Sequence, residues 1–201
     1  MDENDIQIYK QRALDTTNTI FENSECNICV RMLTAEDLDW YIALQRQQPV
    51  ERRLPWDMSG AALTDPHAFN FSFKILDADQ RPAGACICQF LPATQADESP
   101  VLNVEMIQNF HIKDSILDGN MLRFALYAAI LFMAETKCEG LRLISPINED
   151  VADYYINVYG FIDICGKEIL YRDAEGLFQW LQTDLTQVED EQKLSDNLTD
   201  D

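Results

Sequence analysis

The sequence predicts an α/β protein of α+β character, in which a mixed central sheet carries helices on both faces. The segment Phe69–Asp77 alternates phenylalanine or isoleucine with polar residues, which is typical of a half-buried strand. The segment Leu117–Glu139 is apolar on almost every side, which indicates a helix covered by other layers. The predicted order of elements, β-α-(α)-β-β-β-α-β-α-β-α, implies a sheet with helices packed on it.

Length and charge narrow the classes of function. The chain has 201 residues, 47% of them apolar, so it can bury a core as one domain with extensions. Its net charge is −20, from 35 acidic against 15 basic residues. Because phosphate contacts need clustered lysine and arginine, this balance argues against a nucleic-acid partner. It allows a cationic acceptor or a basic protein partner.

Nothing in the sequence predicts a membrane or a metal partner. The longest apolar run, Phe124–Ala134, has 11 residues and is too short to span a bilayer. The N-terminus is acidic where a signal peptide would be basic, so we expect a cytoplasmic protein with reduced cysteines. Cys26 and Cys29 would point to opposite faces of a strand, and no zinc spacing follows, so we expect no metal.

The chain divides into four predicted parts. Residues 1–25 form an N-terminal extension with loose helical spacing, and residues 26–175 form the main domain. Residues 176–188 continue an amphipathic helix that packs on the domain. Residues 189–201 are polar and acidic with little apolar surface, so we expect a disordered tail.

Within the main domain, local signals predict each element. Cys26–Leu33 is a first strand, and the capping-box sequence at Thr34 opens a helix that runs to about Gln47. Phe69–Asp77 pairs with Ala83–Leu91 in a hairpin. The remaining predicted elements are, in order, the strand Val101–Phe110, the apolar helix Leu117–Glu139, the strand Leu141–Ile147, the helix Glu149–Tyr159, the strand or hairpin Phe161–Arg172 and the helix Ala174–Val188.

The residues that end the domain resemble a known family. Asn148, Ala152 and Tyr155 precede Gly160-Phe161, and this order follows a strand, a turn with Gly119 and a buried helix. The pattern resembles the GNAT superfamily of acyl-CoA-dependent N-acyltransferases over roughly Cys26–Arg172. The resemblance implies two splayed central strands and acyl-CoA, such as acetyl-CoA, as cosubstrate.

The resemblance also assigns the cosubstrate contacts. Exposed backbone of the strand would bind pantetheine, and the turn and helix start would bind pyrophosphate, since helix N-termini offer unpaired N–H groups. The residues so assigned are Ile107, Gln108, Asn109, Phe110, Gly119, Asn120, Met121, Leu122, Arg123 and Asn148.

The phosphate turn departs from the family pattern of Gln/Arg-x-x-Gly-x-Gly/Ala. When the last glycine is aligned with Gly119, Asp114 and Leu117 take the other two positions, and Asp118 adds a second negative charge. Carboxylates beside a pyrophosphate are unfavourable unless they point away. Lys113 and Arg123 are the cations that would offset them.

The resemblance names candidates for acid–base catalysis. Glu105 lies in mid-strand, where such enzymes carry a base for the incoming amine; an outward-facing surface residue is the alternative. His111 is a second candidate base. The family's acid tyrosine falls on Ile156, so Tyr155 or Tyr154 would replace it, and the sequence does not choose between them.

The favoured function is therefore transfer of an acetyl or other acyl group from acyl-CoA to a primary amine. The alternative is a catalytically degenerate domain of the same fold that acts as a protein-binding or regulatory module, which the altered turn favours. The sequence leaves open the acceptor, the acyl group and whether the chain forms a homodimer.

Overall fold

The protein is described by a computed structural model at residues 2–47, 49–50, 53–56, 67–95, 97–111 and 115–199. Five helices lie in this part of the chain: α1 (Glu3–Asn23), α2 (Ala35–Gln45), α3 (Met121–Thr136), α4 (Glu149–Tyr159) and α5 (Ala174–Thr199). It also holds eight strands: β1 (Cys29–Met32), β2 (Phe69–Asn70), β3 (Phe73–Leu76), β4 (Pro82–Leu91), β5 (Val101–Asn109), β6 (Gly140–Ile144), β7 (Ile162–Asp163) and β8 (Ile169–Asp173).

All eight strands form one mixed sheet, as predicted. Its order is β1-β3-β4-β5-β6-β8-β7, and β2 pairs with β4 beside β3. Only β5 and β6 run parallel among these pairs, and α3 makes the crossover between them. The other pairs are antiparallel; α2 lies in the connection between β1 and β3, and α4 lies in the connection between β6 and β8.

Helices cover both faces of the sheet. On the first face, α1, α3, α4 and α5 pack against the larger core, which includes Leu102, Val104 and Leu143. On the second face, α2 packs with Trp56 over Ala85 and Ile87 of β4. The predicted architecture is confirmed.

Helix α3 lies at the centre of the first face, which explains why it is apolar all round. On the side of α3 that faces the sheet, Phe132 stacks on Phe71 with ring centroids 4.1 Å apart. On other sides, Phe124 meets Phe21 of α1 at 5.6 Å, and Tyr127 meets Trp180 of α5 at 6.2 Å. Each fully buried ring stabilises the fold by roughly 1.5–3 kcal/mol relative to exposure.

Local sequence signals position the ends of several helices. Thr34 caps α2 and forms the predicted reciprocal pair with Asp37. Gly160 ends α4 in the left-handed region (φ +65°), and its N–H donates to the carbonyl of Ile156. A side chain at this φ would be strained, and the turn sends Phe161 into the core, so Gly160-Phe161 has a structural purpose.

Some boundaries differ from the prediction. The apolar helix begins at Met121 rather than at residue 117, because residues 116–120 form a turn, and it ends at Thr136. The last helix continues to Thr199, past Val188, where we expected a disordered tail to begin. None of the described helices is both long and apolar enough to cross a membrane.

Candidate active site

The site begins where the two parallel strands separate. β5 and β6 pair from Val101 and Gly140 as far as Val104 and Leu143, and the pairing then stops although β5 continues to Asn109. A cavity of about 680 Å³ opens between the two strand ends. The predicted splay of the central strands is thus present, and it leaves backbone groups of β5 without a strand partner on that side.

A β-bulge places Glu105 at this opening. Ile87 of β4 pairs with Met106, whereas the next residue, Cys88, pairs with Val104, so Glu105 is the extra residue of β5. A bulge turns two successive side chains toward one side and bends the strand. Glu105 and Met106 are therefore both available to the second face, at the start of the cavity.

The carboxylate of Glu105 lies in a half-buried polar environment. Burial raises its pKa, and a hydrogen bond from Asn103, with Nδ2 3.1 Å from Oε1, acts in the opposite direction. A carboxylate with a raised pKa is a better proton acceptor, which suits a general base. His111, the second candidate base, lies at the cavity edge with its side chain 66% exposed.

Helix α4 brings two tyrosines to the same cavity. Tyr154 donates a hydrogen bond to the carbonyl of Gly119 at 2.9 Å. Tyr155 lines the cavity, and no hydrogen bond ties its hydroxyl to the described residues. Burial, and next the nearby Cys86, raise the pKa of Tyr155 to about 12. Tyr155 therefore holds a proton at neutral pH and has a hydroxyl that remains available.

The turn before α3 carries an acidic group instead of a basic one. Asp118 accepts hydrogen bonds from Asn109 (Nδ2 to Oδ1, 2.8 Å) and lies 3.3 Å from Nδ1 of His111. Leu117, where the resemblance expects glycine, is completely buried and anchors the turn in the core. Gly119 takes a positive φ of 76°. Lys113 and Asp114 fall outside the described residues.

The start of α3 borders the cavity. Asn120 is the N-cap residue, but its side chain makes no capping hydrogen bond to the helix. The first N–H groups of a helix have no intrahelical partner, and here Met121 and Leu122 line the cavity. This end of the cavity can therefore accept an anion, as a helix N-terminus does.

Two of the predicted cosubstrate residues do not line the cavity. Asn120 turns its amide back to the carbonyl of Ile116, 3.3 Å away. Arg123 points to α5, where its Nε lies 3.0 and 3.1 Å from the two carboxylate oxygens of Asp184. Arg123 therefore does not offset Asp118, because its charge is paired with Asp184 of α5.

The other predicted residues are brought together around one cavity. They are Glu105, Ile107, Gln108, Asn109, Phe110, Gly119, Met121, Leu122, Asn148, Tyr154 and Tyr155. Asn148 also caps α4, since its Oδ1 accepts from the N–H of Val151 at 2.9 Å. Gln108 is held from the second face, where its Oε1 accepts from Gln45 at 2.8 Å and from Trp56.

Two functional candidates were not predicted from the sequence. Asn103 touches Glu105 directly, and Arg142 occupies the paired position on β6. Arg142 lies between Leu141 and Leu143 in a buried strand, and alternation places it on the face opposite to the core. This polar position was the signal that the sequence offered.

Comparisons with known proteins show the fold. No protein-family model and no curated protein matches the sequence. Solved structures do match: AtaTR bound with acetyl-CoA gives a TM-score of 0.53 at 12% identity, over 77% of this chain and 98% of that one. A GNAT-family acetyltransferase from Staphylococcus aureus Mu50 gives 0.52 at 11% identity, over 73% and 99%.

A third solved structure agrees with these two. A mutant AtaT toxin, bound to the C-terminus of the antitoxin AtaR and to acetyl-CoA, gives a TM-score of 0.50 at 10% identity, over 77% of this chain and 98% of that one. The chain therefore has the GNAT acetyltransferase fold, and the resemblance noted in the sequence is confirmed at the level of the fold.

Proposed function

We propose that the protein is an N-acyltransferase that moves an acetyl or other acyl group from acyl-CoA to a primary amine. The observation that carries this proposal is the gap between β5 and β6. One cavity there collects a half-buried carboxylate, Glu105, an available phenol, Tyr155, and the uncapped start of α3. Each is a group that the reaction needs.

The cavity supports a definite placement of the cosubstrate. Beyond Val104, the backbone of β5 can hydrogen-bond a pantetheine arm that lies along it as an added strand would. The pyrophosphate would then meet the N–H groups of Met121 and Leu122. The thioester would lie between Glu105 and Tyr155, which line the same cavity.

The residues divide the reaction into two proton transfers. Glu105 accepts a proton from the acceptor ammonium, directly or through a water, because only the neutral amine has a lone pair for attack. The amine nitrogen bonds to the thioester carbonyl carbon, the carbon–sulfur bond breaks, and the nitrogen releases its second proton to solvent to give the neutral amide. Tyr155 donates its proton to the departing thiolate and regains one from solvent. The products are an amide and CoA.

A charge-matched pair of variants tests this role of Glu105. Glu105→Gln removes the base and should lower kcat for acetyl transfer by about 10²-fold, since general base catalysis supplies at least that. The affinity for acetyl-CoA should not change. Glu22→Gln, on the exposed side of α1, is the control and should keep full activity. Equal activity of the two variants would remove Glu105 from the mechanism.

One observation favours a second candidate, a catalytically degenerate GNAT-fold module that binds a protein. Asp118, half exposed, places a carboxylate beside the turn that would bind pyrophosphate, and neither Arg123 nor another described cation pairs with it. Among the described residues, His111 is the only histidine, lysine or arginine whose side chain lies within hydrogen-bonding distance of Asp118. Under this candidate, Glu105→Gln would leave protein binding intact and no acetyl transfer would be measured for the wild type.

A further inference from the structure

A row of polar side chains crosses the second face of the sheet beside Glu105. The strand register aligns Gln89 of β4 with Asn103 of β5, Asn103 with Arg142 of β6, and Arg142 with Tyr171 of β8. The residues on either side of Asn103 and of Arg142 along their strands belong to the first-face core. Alternation therefore turns this row to the second face, where Glu105 lies.

Two atoms in this row are buried without a hydrogen-bond partner in the described structure. They are Oδ1 of Asn103, an acceptor, and Nε of Arg142, a donor. The amide nitrogen of Asn103 is already used, because it donates to Glu105. Both atoms are enclosed by protein, whereas the terminal nitrogens of Arg142, which also have no partner among the described residues, are not enclosed and can bind a ligand.

The isolation of Arg142 is unusual in a chain with 35 acidic and 15 basic residues. Within the part of the chain that the structure describes, no ion pair and no side-chain hydrogen bond joins Arg142 to another residue. Burial raises the pKa of the neighbouring Tyr171 most, Asp173 and Glu139 raise it further, and Arg142 lowers it. Neither of these carboxylates pairs with the guanidinium.

We propose that Arg142 binds the acceptor beside Glu105, and that the acceptor is an amine that also carries a carboxylate. The carboxylate pairs with the guanidinium of Arg142, the geometry for which arginine is suited. The amine gives its proton to Glu105, which Asn103 holds in place through its hydrogen bond. This inference rests on the proposed acyltransferase function and names its acceptor class.

The acidic net charge alone suggested a cationic acceptor, and the polar row changes that expectation. The base and Arg142 lie on adjacent strands two residues apart, a diagonal of roughly 8 Å at the level of the strands. The carboxylate can belong to a free amino acid or to a peptide that begins with a free amine. Both sources present the same two groups, and the probes below separate them.

Three matched pairs of amines test the proposal, and each pair differs in a carboxylate. The first pair is leucine and 3-methylbutylamine, and the second is 5-aminopentanoate and pentylamine. The third is a tripeptide amide with aspartate at the second position and the same peptide amide with asparagine there. Acetyl transfer is measured as kcat/KM for each, with the wild type, Arg142→Met, Arg142→Lys and a control, Arg12→Met, whose guanidinium pairs with Glu135 on the far side of the fold.

The expected result is a preference of about tenfold or more for the carboxylate member of at least one pair, since hydrogen bonds to charged groups contribute that much. Arg142→Met should abolish the preference, chiefly through KM, Arg142→Lys should keep part of it, and Arg12→Met should keep all of it. The pair that shows the preference identifies the source of the carboxylate.

Acetyl-CoA binding, measured alongside, separates two kinds of failure. If the wild type binds acetyl-CoA and acetylates amines with no preference in any pair, or if Arg142→Met keeps the preference, the carboxylate proposal is wrong and the acyltransferase proposal stands. If the folded wild type binds no acetyl-CoA, both proposals fall. The measurements on the wild type decide the matter even if Arg142→Met does not fold.

Discussion

Asn103 donates a hydrogen bond across the bulge of β5 to Glu105, and the two side chains share the second face of the sheet. The bond favours the charged carboxylate, whereas burial, the larger effect, favours the protonated one and raises the pKa of Glu105. A base must be deprotonated to work, so activity should fall as the pH drops through this raised pKa.

Removing the amide donor should move the pH profile in a predictable direction. Asn103→Ala removes the hydrogen bond that lowers the pKa of Glu105, so this pKa should rise further. The acidic limb of the plot of kcat/KM against pH should then shift to higher pH, because that plot reports the free enzyme. Asn157→Ala, on the exposed side of α4, is the control. A shift to lower pH would contradict the assignment.

The two tyrosines of α4 should behave differently. Tyr155→Phe removes the proposed acid and should lower kcat by about 10²-fold with little change in the KM for acetyl-CoA. Tyr154→Phe removes the bond to the carbonyl of Gly119 and should act mainly on that KM. With a pKa of about 12, Tyr155 should also stay protonated through pH 10, so no basic limb should arise from it. Reversed effects would exchange the two roles.

The carboxylate beside the phosphate turn should weaken acetyl-CoA binding. Asp118→Asn removes one negative charge and should tighten binding by roughly two- to fivefold at low salt, with a smaller gain at high salt because exposed charges are screened. Asp79→Asn, in an exposed turn, removes the same charge far from the cavity and should have no effect. Titration calorimetry at two salt concentrations measures both. Weaker binding in Asp118→Asn would mean that this carboxylate contributes to the site.

Arg123 should matter for stability and not for the cosubstrate. Asp184 is 9% exposed and accepts from Arg123 and from the hydroxyl of Tyr127 at 2.6 Å. Arg123→Met leaves that carboxylate with one partner and should lower the free energy of unfolding by about 2 kcal/mol, below the range for fully buried pairs because the guanidinium is partly exposed. Urea unfolding measures the loss.

The acetyl-CoA affinity of Arg123→Met should equal that of the wild type. A marked loss of affinity in a variant that is still folded would restore the role that the resemblance assigned to Arg123. Arg81→Met, at an exposed pair with Asp77 and Asp79, serves as the stability control and should leave the free energy of unfolding nearly unchanged, because exposed ion pairs contribute little.

The sequence predicted what depends on local pattern. It gave α4 at its observed bounds, the hairpin of β3 and β4, and the ending at Gly160-Phe161, because caps, alternation and a glycine with positive φ leave direct signals. It also named most residues that line the cavity, through the order of elements.

What escaped prediction depends on pairing between distant strands. The bulge at Glu105 exists only relative to Ile87 and Cys88, and the polar row exists only once Asn103 and Arg142 are in register. Arg123 is a related case. Its position in the first turn of α3 suggests a phosphate contact, but the packing of α5 supplies Asp184 instead.

The most direct test is calorimetric titration of the folded wild type with acetyl-CoA, because both the acyltransferase function and the acceptor class need the gap between β5 and β6 to hold it. We expect saturable binding of one acetyl-CoA per chain with a Kd below about 1 mM, the range of enzyme substrates. No heat of binding at millimolar acetyl-CoA, from protein shown to be folded, would contradict the acyltransferase account.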